Sequence, residues 1–349
     1  MELIIANKNF ERIGMIENAQ IIWSTRYYKS GDFEIYVSAT QENLELITSG
    51  FYVIRDDKEK NNIGVIENYT VASKPEEGDM ITVTGKLAGG YFLKTRVVAH
   101  QTQLSGNVQQ ELRNLVYSNI INPTDPNRKI DFIHFGELDG TIFETLEKQI
   151  TGANLLEKVE EICAEKGVGF RMNLKNNELF FEIYKGTDRS YNQIENLHIV
   201  FSDEYDNLTD CQYVNQKSEI KNFAYVAGEG EGLDRKIVAT YNTQTEPIGQ
   251  DRFEIWVDQR NISSNNEEIT VEELNNQMME EGLENLTTLT EALDGNVLMY
   301  GYTYDEDFTL GDIVQIYKSN WNVGIAMRII ECIESVNSTG ESIVLTFGI

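Results

Sequence analysis

The C-terminal stretch of the chain, residues 310–349, reads LGDIVQIYKSNWNVGIAMRIIECIESVNSTGESIVLTFGI. A similar pattern, GFYVIRDDKEKNNIGVIENYTVASKPEEGDMITVTG, occupies residues 50–85. In each stretch a glycine and an apolar run precede a polar turn, and an Asn-aliphatic-Gly step at 62–64 or 322–324 opens a long alternating run. A second turn and a strand that ends on glycine follow. Alternation with a period of two residues is typical of half-buried strands, so the sequence predicts the same β-meander twice.

If the two meanders are homologous units, they should superpose strand for strand, with Gly64 and Gly324 at equivalent bends. The surrounding sequence supports a small all-β unit around the first copy. Apolar or alternating runs of about 4–8 residues, separated by turn residues such as KSGD at 29–32, predict strands throughout residues 1–95. We interpret this region as a closed or nearly closed β-barrel.

The composition is that of a folded, strongly acidic protein. The chain has 349 residues, 41% of them hydrophobic, which predicts more than one domain and argues against disorder. Its formal net charge is −28. Stable binding to nucleic acid and a polybasic membrane patch are therefore disfavoured, because both need clustered Lys and Arg.

The sequence contains no apolar run near ~18 residues and no signal-peptide core at its N-terminus, so we expect a protein that is made in a cytoplasm and does not insert into a membrane. The cysteines, Cys163, Cys211 and Cys332, are three and widely spaced. They predict reduced core thiols rather than disulfides or a zinc site.

Residues 96–189 change from strand to helix periodicity and predict a small α+β domain. The segment 105–119 places four apolar residues on one helical face, with Ser105 as a possible N-cap. A second helix is predicted from the cap residue Asn154 to Gly167, and a hairpin is predicted to turn at 176–177.

Strand periodicity returns over residues 190–262 and 295–349, including a strand at 297–304, and predicts a second barrel. Between these segments, residues 263–294 are predicted to form an acidic helical insertion, whose helix would cover 270–293 behind a Thr270/Glu273 capping box. No Lys or Arg occurs between Arg260 and Lys318, whereas 13 acidic residues fall there. We expect them on a solvated helix face rather than around Ca²⁺, because no EF-hand-type loop is present.

The sequence offers no catalytic, cofactor-binding or metal-binding residues that can be named. AGEGEGLDR at 227–235 resembles a phosphate loop, but its two glutamates would repel phosphate, and a tight turn is the better interpretation. His100, His134 and His198 are isolated from one another and from cysteine. No GxSxG elbow occurs, and we expect a non-enzymatic protein without a cofactor.

Seven stretches, taken in order from near residue 20 to the end of the chain, carry a family resemblance. They are WSTRYYKSGDFEIYV (23–37), GKLAGGYFLKTRVV (85–98), YKGTDRS (184–190), IVFSDEYDNL (199–208), NFAYVAGEGEGLDR (222–235), FTLGDIVQI (308–316) and GIAMRIIECIES with the final FG (324–348). Together they resemble the siphovirus tail-tip hub family, the N-terminal hub of tail-associated lysin and tail-fibre proteins, with one departure at 85–92, where GKLAGGYF replaces the family's usual start.

The resemblance implies a fold like that of the baseplate hub of contractile phages: mainly β with α+β insertions, and two tube-type β-barrel domains in one chain. It also implies a homotrimer whose six barrels adapt a six-fold tail tube, or distal tail protein ring, to three-fold tip, spike, fibre or tape-measure components. Such a ring at the virion tail tip would form a channel for DNA. We expect acids to outnumber bases on its wall, with the Glu-rich stretch on the rim.

Two alternatives remain open at this stage. One is a tail-associated peptidoglycan hydrolase, because the family often carries that activity in C-terminal extensions. The other is a carbohydrate-binding module, which would need an aromatic groove. Trp23, Trp256 and Trp321 are scattered along predicted strands, and we expect them in the core or in interfaces.

Overall fold

The structure is a computed structural model that describes residues 2–74, 78–260, 262, 270–287, 290–337 and 340–348. Strands dominate its first part, where the sequence alternates most regularly. In β4, for example, Phe33, Ile35 and Val37 point inwards and the residues between them do not. The elements of this part are β1 (Leu3–Ala6), β2 (Arg12–Ile16), β3 (Gln20–Arg26), β4 (Asp32–Ser38), α1 (Gln41–Ser49), β5 (Tyr52–Arg55), β6 (Ile63–Lys74) and β7 (Gly78–Leu87).

The middle part combines helices with short strands, as the change of periodicity predicts. Its elements are α2 (Ala88–Lys94), β8 (Val97–Val98), β9 (Thr102–Asn107), α3 (Val108–Val116), β10 (Ile133–Phe135), β11 (Thr145–Ile150), β12 (Ala153–Asn154), α4 (Leu155–Lys166), β13 (Gly169–Lys175) and β14 (Glu178–Tyr184). The sequence features that define α4 and the hairpin are confirmed. Asn154 caps α4 through its side chain, Gly167 ends it at φ 67°, and Asn176 and Asn177 turn the β13–β14 hairpin with positive φ.

The predicted cap of α3 is wrong by two residues. Ser105 lies within β9, opposite Glu147, whereas the side chain of Asn107 accepts hydrogen bonds from the amides of Gln109 and Gln110. Strand pairing with β11 keeps the backbone extended through Ser105, so the helix can begin only after Asn107.

The last part returns to strands and, among its described residues, contains one further α-helix. Its elements are β15 (Val200–Ser202), β16 (Leu208–Gln216), β17 (Phe223–Ala227), β18 (Ile237–Tyr241), β19 (Glu254–Asp258), α5 (Val271–Glu284), β20 (Thr290–Val297), β21 (Ile313–Lys318), β22 (Val323–Asn337) and β23 (Gly340–Gly348). The strand predicted over 297–304 is wrong beyond Val297, which ends β20. In the AGEGEGLDR segment, Gly230 and Gly232 have positive φ and a 3-10 turn follows, as the turn interpretation predicts.

The capping box of α5 is confirmed, but its predicted length is wrong. The Thr270 side chain accepts from the Glu273 amide, and the Glu273 carboxylate accepts from the Thr270 amide. The helix nevertheless ends at Glu284, and from Thr290 onwards the chain is the strand β20, paired with β16. The β-branched threonines at this boundary fit a strand better than a helix, and cross-strand pairing then decides the outcome.

Strands from both ends of the chain share one 11-stranded sheet among the described residues. Its order is β15-β21-β22-β3-β4-β7-β6-β5-β1-β2, with β23 also paired to β22. The junction is the antiparallel pair β3–β22, in which Ile21 to Arg26 face Val336 to Glu331. The smaller sheets are β10-β14-β13, β18-β17-β19 and the two-stranded pairs β9/β11, β8/β12 and β16/β20.

The expectation of two tube-type barrel domains is therefore not confirmed. No sheet within the described ranges closes into a barrel, and the strands assigned to the two barrels form one continuous sheet. The duplication argument fails in the form stated above, because it required two separate units. The cause is long-range pairing: period-two alternation defines which side chains share a face but does not specify the partner strand.

The two meanders do share a local plan. Strand β6 pairs with β5 through its first residues and with β7 from Gly64 onwards, and its register with β7 is irregular between Ile66 and Asn68. Likewise, β22 pairs with β21 through its first residues and with β23 from Arg328 onwards, and its register with β23 is irregular between Ile329 and Glu331. In each case one long strand bridges a short strand and a long one.

Candidate functional site

The feature that distinguishes this fold is the junction at which the first and last parts of the chain meet. At the end of β3, Arg26 donates from Nε to Glu331 of β22 at 2.7 Å and from Nη1 to Asp32 of β4 at 2.6 Å. Three neighbouring strands are thus joined by one guanidinium group. The planar fork of arginine suits such a position, because it can serve two carboxylates at once.

A buried ionic cluster lies beside this junction. The side chain of Arg55, at the end of β5, is only 2% exposed and stands over the Trp23 ring at 5.7 Å. Its Nη1 donates to Glu334 of β22 at 2.8 Å, and its Nε and Nη2 donate to Asp57. Burial alone would lower the pKa of Arg55, but the hydrogen bond to Asp57 and the charge of Glu334 outweigh it and raise the pKa.

Lys58 extends the cluster to the segment that precedes β21. Its Nζ lies 2.9 Å from Glu334 and also contacts Asp305, and it stands over the Tyr304 ring at 4.9 Å. A cavity of about 30 Å³ next to these groups is lined by polar side chains that include Thr25, Asn61 and Arg171. That volume corresponds to about one water molecule.

A second joint centres on Tyr27, which is fully buried just after β3. Its hydroxyl donates to the Gly167 carbonyl at 3.1 Å and accepts from the Gly186 amide at 3.2 Å, and burial raises the pKa of this phenol. Gly186 packs directly on Gly311, since a Cβ on Gly186 would lie 1.9 Å from the Gly311 carbonyl oxygen. The first, middle and last parts of the chain therefore meet at one tyrosine.

Asp312 fixes the linker after β14 to the start of β21. It is 2% exposed, and its carboxylate accepts from the Thr187 amide at 2.8 Å, the Thr309 amide at 3.0 Å and Arg189 Nε at 2.8 Å. A buried carboxylate with three donors is satisfied, so it stabilises the joint rather than destabilising it. The hydrogen bonds and ion pairs at these joints hold together segments that are far apart in the sequence.

The acidic helix α5 is solvated only in part, because Glu272 and Glu273 are exposed whereas Glu280, Glu281 and Glu284 are half-buried. Glu280 binds Lys166 at 2.9 Å, and Glu284 binds Lys148 of β11 with both oxygens at 2.6 and 2.7 Å. Lysines of the middle part therefore neutralise part of the excess negative charge. Glu267 and Glu268 lie outside the described residues.

The three histidines singled out in the sequence are not grouped as metal ligands would be. His198 Nε2 lies 3.0 Å from the Gln193 carbonyl, His134 Nε2 lies 3.4 Å from Glu178, and His100 is exposed. Within the described ranges no three His, Cys, Asp or Glu side chains are grouped as metal ligands would be. None of the helices in the described part of the chain is both long and apolar enough to cross a bilayer.

The aromatic and thiol predictions hold in part. Trp23 is 1% exposed and belongs to the core, but Trp256 on β19 and Trp321 before β22 are about half exposed. Cys163 and Cys332 are buried free thiols, whereas Cys211 is half-buried. Burial raises the pKa of the Cys332 thiol to about 12, which keeps this group protonated and unreactive.

Sequence reasoning missed Arg55, Glu334 and Asp312. A weak signal was present for Arg55, because YVIR at 52–55 ends an apolar run on a charged residue that the structure buries. Glu334 gave no signal, since an acidic residue in an alternating strand is ordinarily solvent-facing.

Comparison with known proteins agrees with the resemblance seen in the sequence. The model of a family described as Siphovirus ReqiPepy6 Gp37-like protein matches residues 2–349. A search of curated protein sequences finds no match.

Solved structures share the fold at low sequence identity. The tail protein from Neisseria meningitidis MC58 is similar with a TM-score of 0.58 at 11% identity, over 99% of this chain and 96% of that one. Prophage tail protein gp18 from Listeria monocytogenes EGD-e gives a TM-score of 0.56 at 14% identity, over 99% and 94% of the two chains. A chain of the Francisella PdpA-VgrG complex gives 0.53 at 9% identity, over 99% of this chain and 52% of that one.

Proposed function

Because the chain belongs to the siphovirus ReqiPepy6 Gp37-like family of tail proteins, we propose that it is the structural hub at the distal end of a phage or prophage-derived tail. In this proposal three copies form a ring. The ring contacts the tail tube or distal tail protein ring on one side and tip, spike, fibre or tape-measure components on the other.

The observation that carries the proposal is likeness over the whole chain. The family match covers residues 2–349, and tail proteins from two bacteria share the fold over 99% of the chain. The fold alone does not prove a function. Membership of a tail-protein family adds the functional context, and the joints around Arg55, Tyr27 and Asp312 tie distant segments of the chain to one another.

The proposal assigns roles to the parts of the chain. Residues 1–95, and residues 190–262 with 295–349, each supply one of the two similar meanders, so three chains would present six related segments. Closed rings are the usual outcome of head-to-tail contacts between identical chains. The middle part, residues 96–189, and the acidic segment 263–294 would lie outside the channel.

The charge of the chain fits a ring through which DNA passes without being held. DNA carries one negative charge per about 1.7 Å of helix axis, and basic residues on the wall would bind it. With 57 acidic and 29 basic residues, the chain can line a channel with excess acid. A continuous belt of Lys or Arg around the pore of the assembled ring would contradict the proposal.

Copy number in purified tails is the decisive measurement. Quantitative mass spectrometry of the particle, with the tail tube protein as an internal standard, should give three copies of this chain per tail tip. Six or twelve copies would overturn the hub. Light scattering of the purified chain over a concentration series then reports whether the trimer forms before or during assembly.

The hydrolase alternative receives no support from the family or from the structural neighbours, which are tail proteins. A peptidoglycan zymogram with the purified chain tests it directly. A clear lysis band would return the hydrolase to consideration.

A further inference from the structure

The small sheet β18-β17-β19 and helix α5 form a unit with its own core. Gly282 lets α5 lie close on the sheet, since a Cβ there would stand 2.4 Å from the Thr240 side chain and 2.6 Å from that of Val226. The buried core residues of this unit contact one another and form a cluster separate from the other cores. They are Ala224, Val226, Val257, Ile262, Leu274 and Met278.

This unit is joined to the main sheet by one pair of strands, whose ends nearest that sheet, Leu208 and Val297, are buried in its core. The chain enters it through β16 and leaves it through β20, and these two strands pair only with each other among the described residues. Their register is irregular between Thr209 and Gln212. A two-stranded ribbon is the least rigid of sheet arrangements, so it is suited to act as a hinge.

A second contact, on the other face of α5, connects the unit to β11 and α4. Residues 277, 281 and 284 are spaced so that they share one helix face. The Lys148 side chain on β11 is 5% exposed and lies 2.6 Å from Glu284, 2.7 Å from Glu161 and 3.4 Å from Glu165. We call this group of charges, together with the Lys166–Glu280 pair, the latch.

The latch contains more acid than base. The charged groups that face one another are five carboxylates and three ammonium groups: Glu161, Glu165, Glu280, Glu281, Glu284, Lys148, Lys158 and Lys166. Gln259 donates to Glu281 at 2.6 Å. Gln277 is 1% exposed, yet neither its Nε2 nor its Oε1 has a hydrogen-bond partner among the described residues. The packing between α5 and the β11–α4 surface therefore keeps carboxylates close together and leaves a buried amide without a hydrogen bond among the described residues.

We propose that β17, β18, β19 and α5 form a flap, hinged on the β16/β20 ribbon and held shut by the latch. The proposal does not depend on the hub function. The closed flap requires close approach of carboxylates that repel one another, which a shared proton relieves.

The titration of Glu284 gives the direction in which pH acts. Burial, followed by the hydrogen bond with Glu165, raises the pKa of Glu284 from 4.5 to about 8, although the charge of Lys148 opposes this shift. The closed state therefore binds this proton more tightly than an open state in which Glu284 is solvated. The resulting stabilisation of the closed state is full below about pH 4.5 and is lost as the pH rises through about 8.

Other groups limit closure at low pH. Lys148 and Lys158 lower the pKa of Glu161, and the pKa of Glu165 is also lowered, by the hydrogen bonds to Glu284 and Lys166, although burial opposes both shifts. Their ion pairs stabilise the closed state above the usual range of glutamate and are lost as the pH falls below it. Closure should be tightest between these limits, and a rise from pH 6.5 to 9 should open the flap.

Hydrogen exchange on the full chain, corrected for the intrinsic pH dependence of exchange, tests the flap. Between pH 6.5 and 9 the protection of α5 amides should fall on the order of tenfold, whereas strands β4 and β7 keep theirs. Equal α5 protection at both pH values would overturn the proposal. A parallel loss in β4 and β7 would also overturn it, because it would indicate global unfolding.

Two variants test whether Glu284 is the group whose protonation holds the flap closed. E284Q keeps the shape and hydrogen bonding of the protonated carboxyl, so α5 protection in this variant should be the same at pH 6.5 and 9. E272Q removes an exposed carboxylate on the same helix and should behave like the unmodified chain. If E284Q retains the full pH response, the latch is not the sensor and the proposal fails.

Discussion

In the first meander, β5–β7, a methyl group on Gly64 would stand 2.5 Å from the buried ring of Phe33, and one on Gly85 would stand 1.9 Å from the Val65 carbonyl oxygen. In the second, β21–β23, the equivalent methyl on Gly324 would meet the half-buried ring of Tyr317 at 3.0 Å. The strand plan is shared, but the packing over it is not. Glycine is therefore sterically required in the first meander, whereas the same sequence pattern in the second meander can accommodate a methyl group.

The largest difference is expected between the closing glycines. Gly85→Ala should lower the free energy of unfolding by about 3 kcal/mol or more, because the new methyl meets backbone and cannot be accommodated without separating β6 from β7. In Gly348→Ala the nearest atom is the flexible end of Ile330 at 2.9 Å, and the loss should stay below about 1 kcal/mol. Urea unfolding of both variants measures the difference, and equal midpoints would contradict this account.

The ionic cluster that joins the two meanders comes next. Glu334→Ala leaves the buried charge of Arg55 and the half-buried charge of Lys58 without their shared partner and should cost about 3 kcal/mol. Asp56→Ala is the matched control, because the Arg12–Asp56 pair has side chains that are 61% and 59% exposed. Exposed pairs contribute less than about 1 kcal/mol. Denaturant titrations in which the two variants lose the same stability would show that the junction is not held by this cluster.

A matched pair at the bends sharpens the comparison further. Gly64→Ala should cost about 2 kcal/mol, because Phe33 is 3% exposed and its ring has little room to move. Gly324→Ala should change stability by less than about 1 kcal/mol, since the Tyr317 ring can shift towards solvent. Thermal unfolding of both variants under the same conditions measures the two stability losses. A larger loss for Gly324→Ala would reverse our assignment of the tight site.

The smallest effect is expected at the asparagines that precede these glycines. Asn62 is 6% exposed, accepts from the Leu174 amide at 2.8 Å and donates to the Leu174 carbonyl at 3.2 Å, so it ties the first meander to the edge of β13. Asn62→Ala should cost about 1–2 kcal/mol and lower the exchange protection of the Leu174 amide.

The control for this prediction is Asn322→Gly. Asn322 has φ 52°, a region in which glycine is unstrained, so the change should be nearly neutral. If both variants lose equal stability, the hydrogen bonds between Asn62 and Leu174 do not contribute to the stability of the protein.

Elements with signals confined to a few neighbouring residues were predicted well. The Asn154 cap and Gly167 termination of α4, the Thr270/Glu273 capping box of α5 and the Asn176–Asn177 turn all follow from such local chemistry. Errors occurred where a distant strand competes with local preference. Ser105 is held in β9 by β11, and the residues after Glu284 are drawn into β20 by β16. The candidate site was the least predictable part, because the burial of Arg55 and Glu334 depends on contacts between segments that are 279 residues apart.

The sequence by itself determined the mainly β class, the tail-protein resemblance and local features such as the Asn154 cap, the Gly167 termination and the Thr270/Glu273 capping box, since these depend on periodicity and on contacts within about four residues. Only the tertiary structure decided that the two meanders share one sheet. That sheet depends on pairing of β3 with β22, and its buried charge pair joins Arg55 to Glu334 across 279 residues of chain. An alternating strand has the same pattern whichever strand it pairs with, so the choice of partner is made by packing and by the burial of charge at the junction.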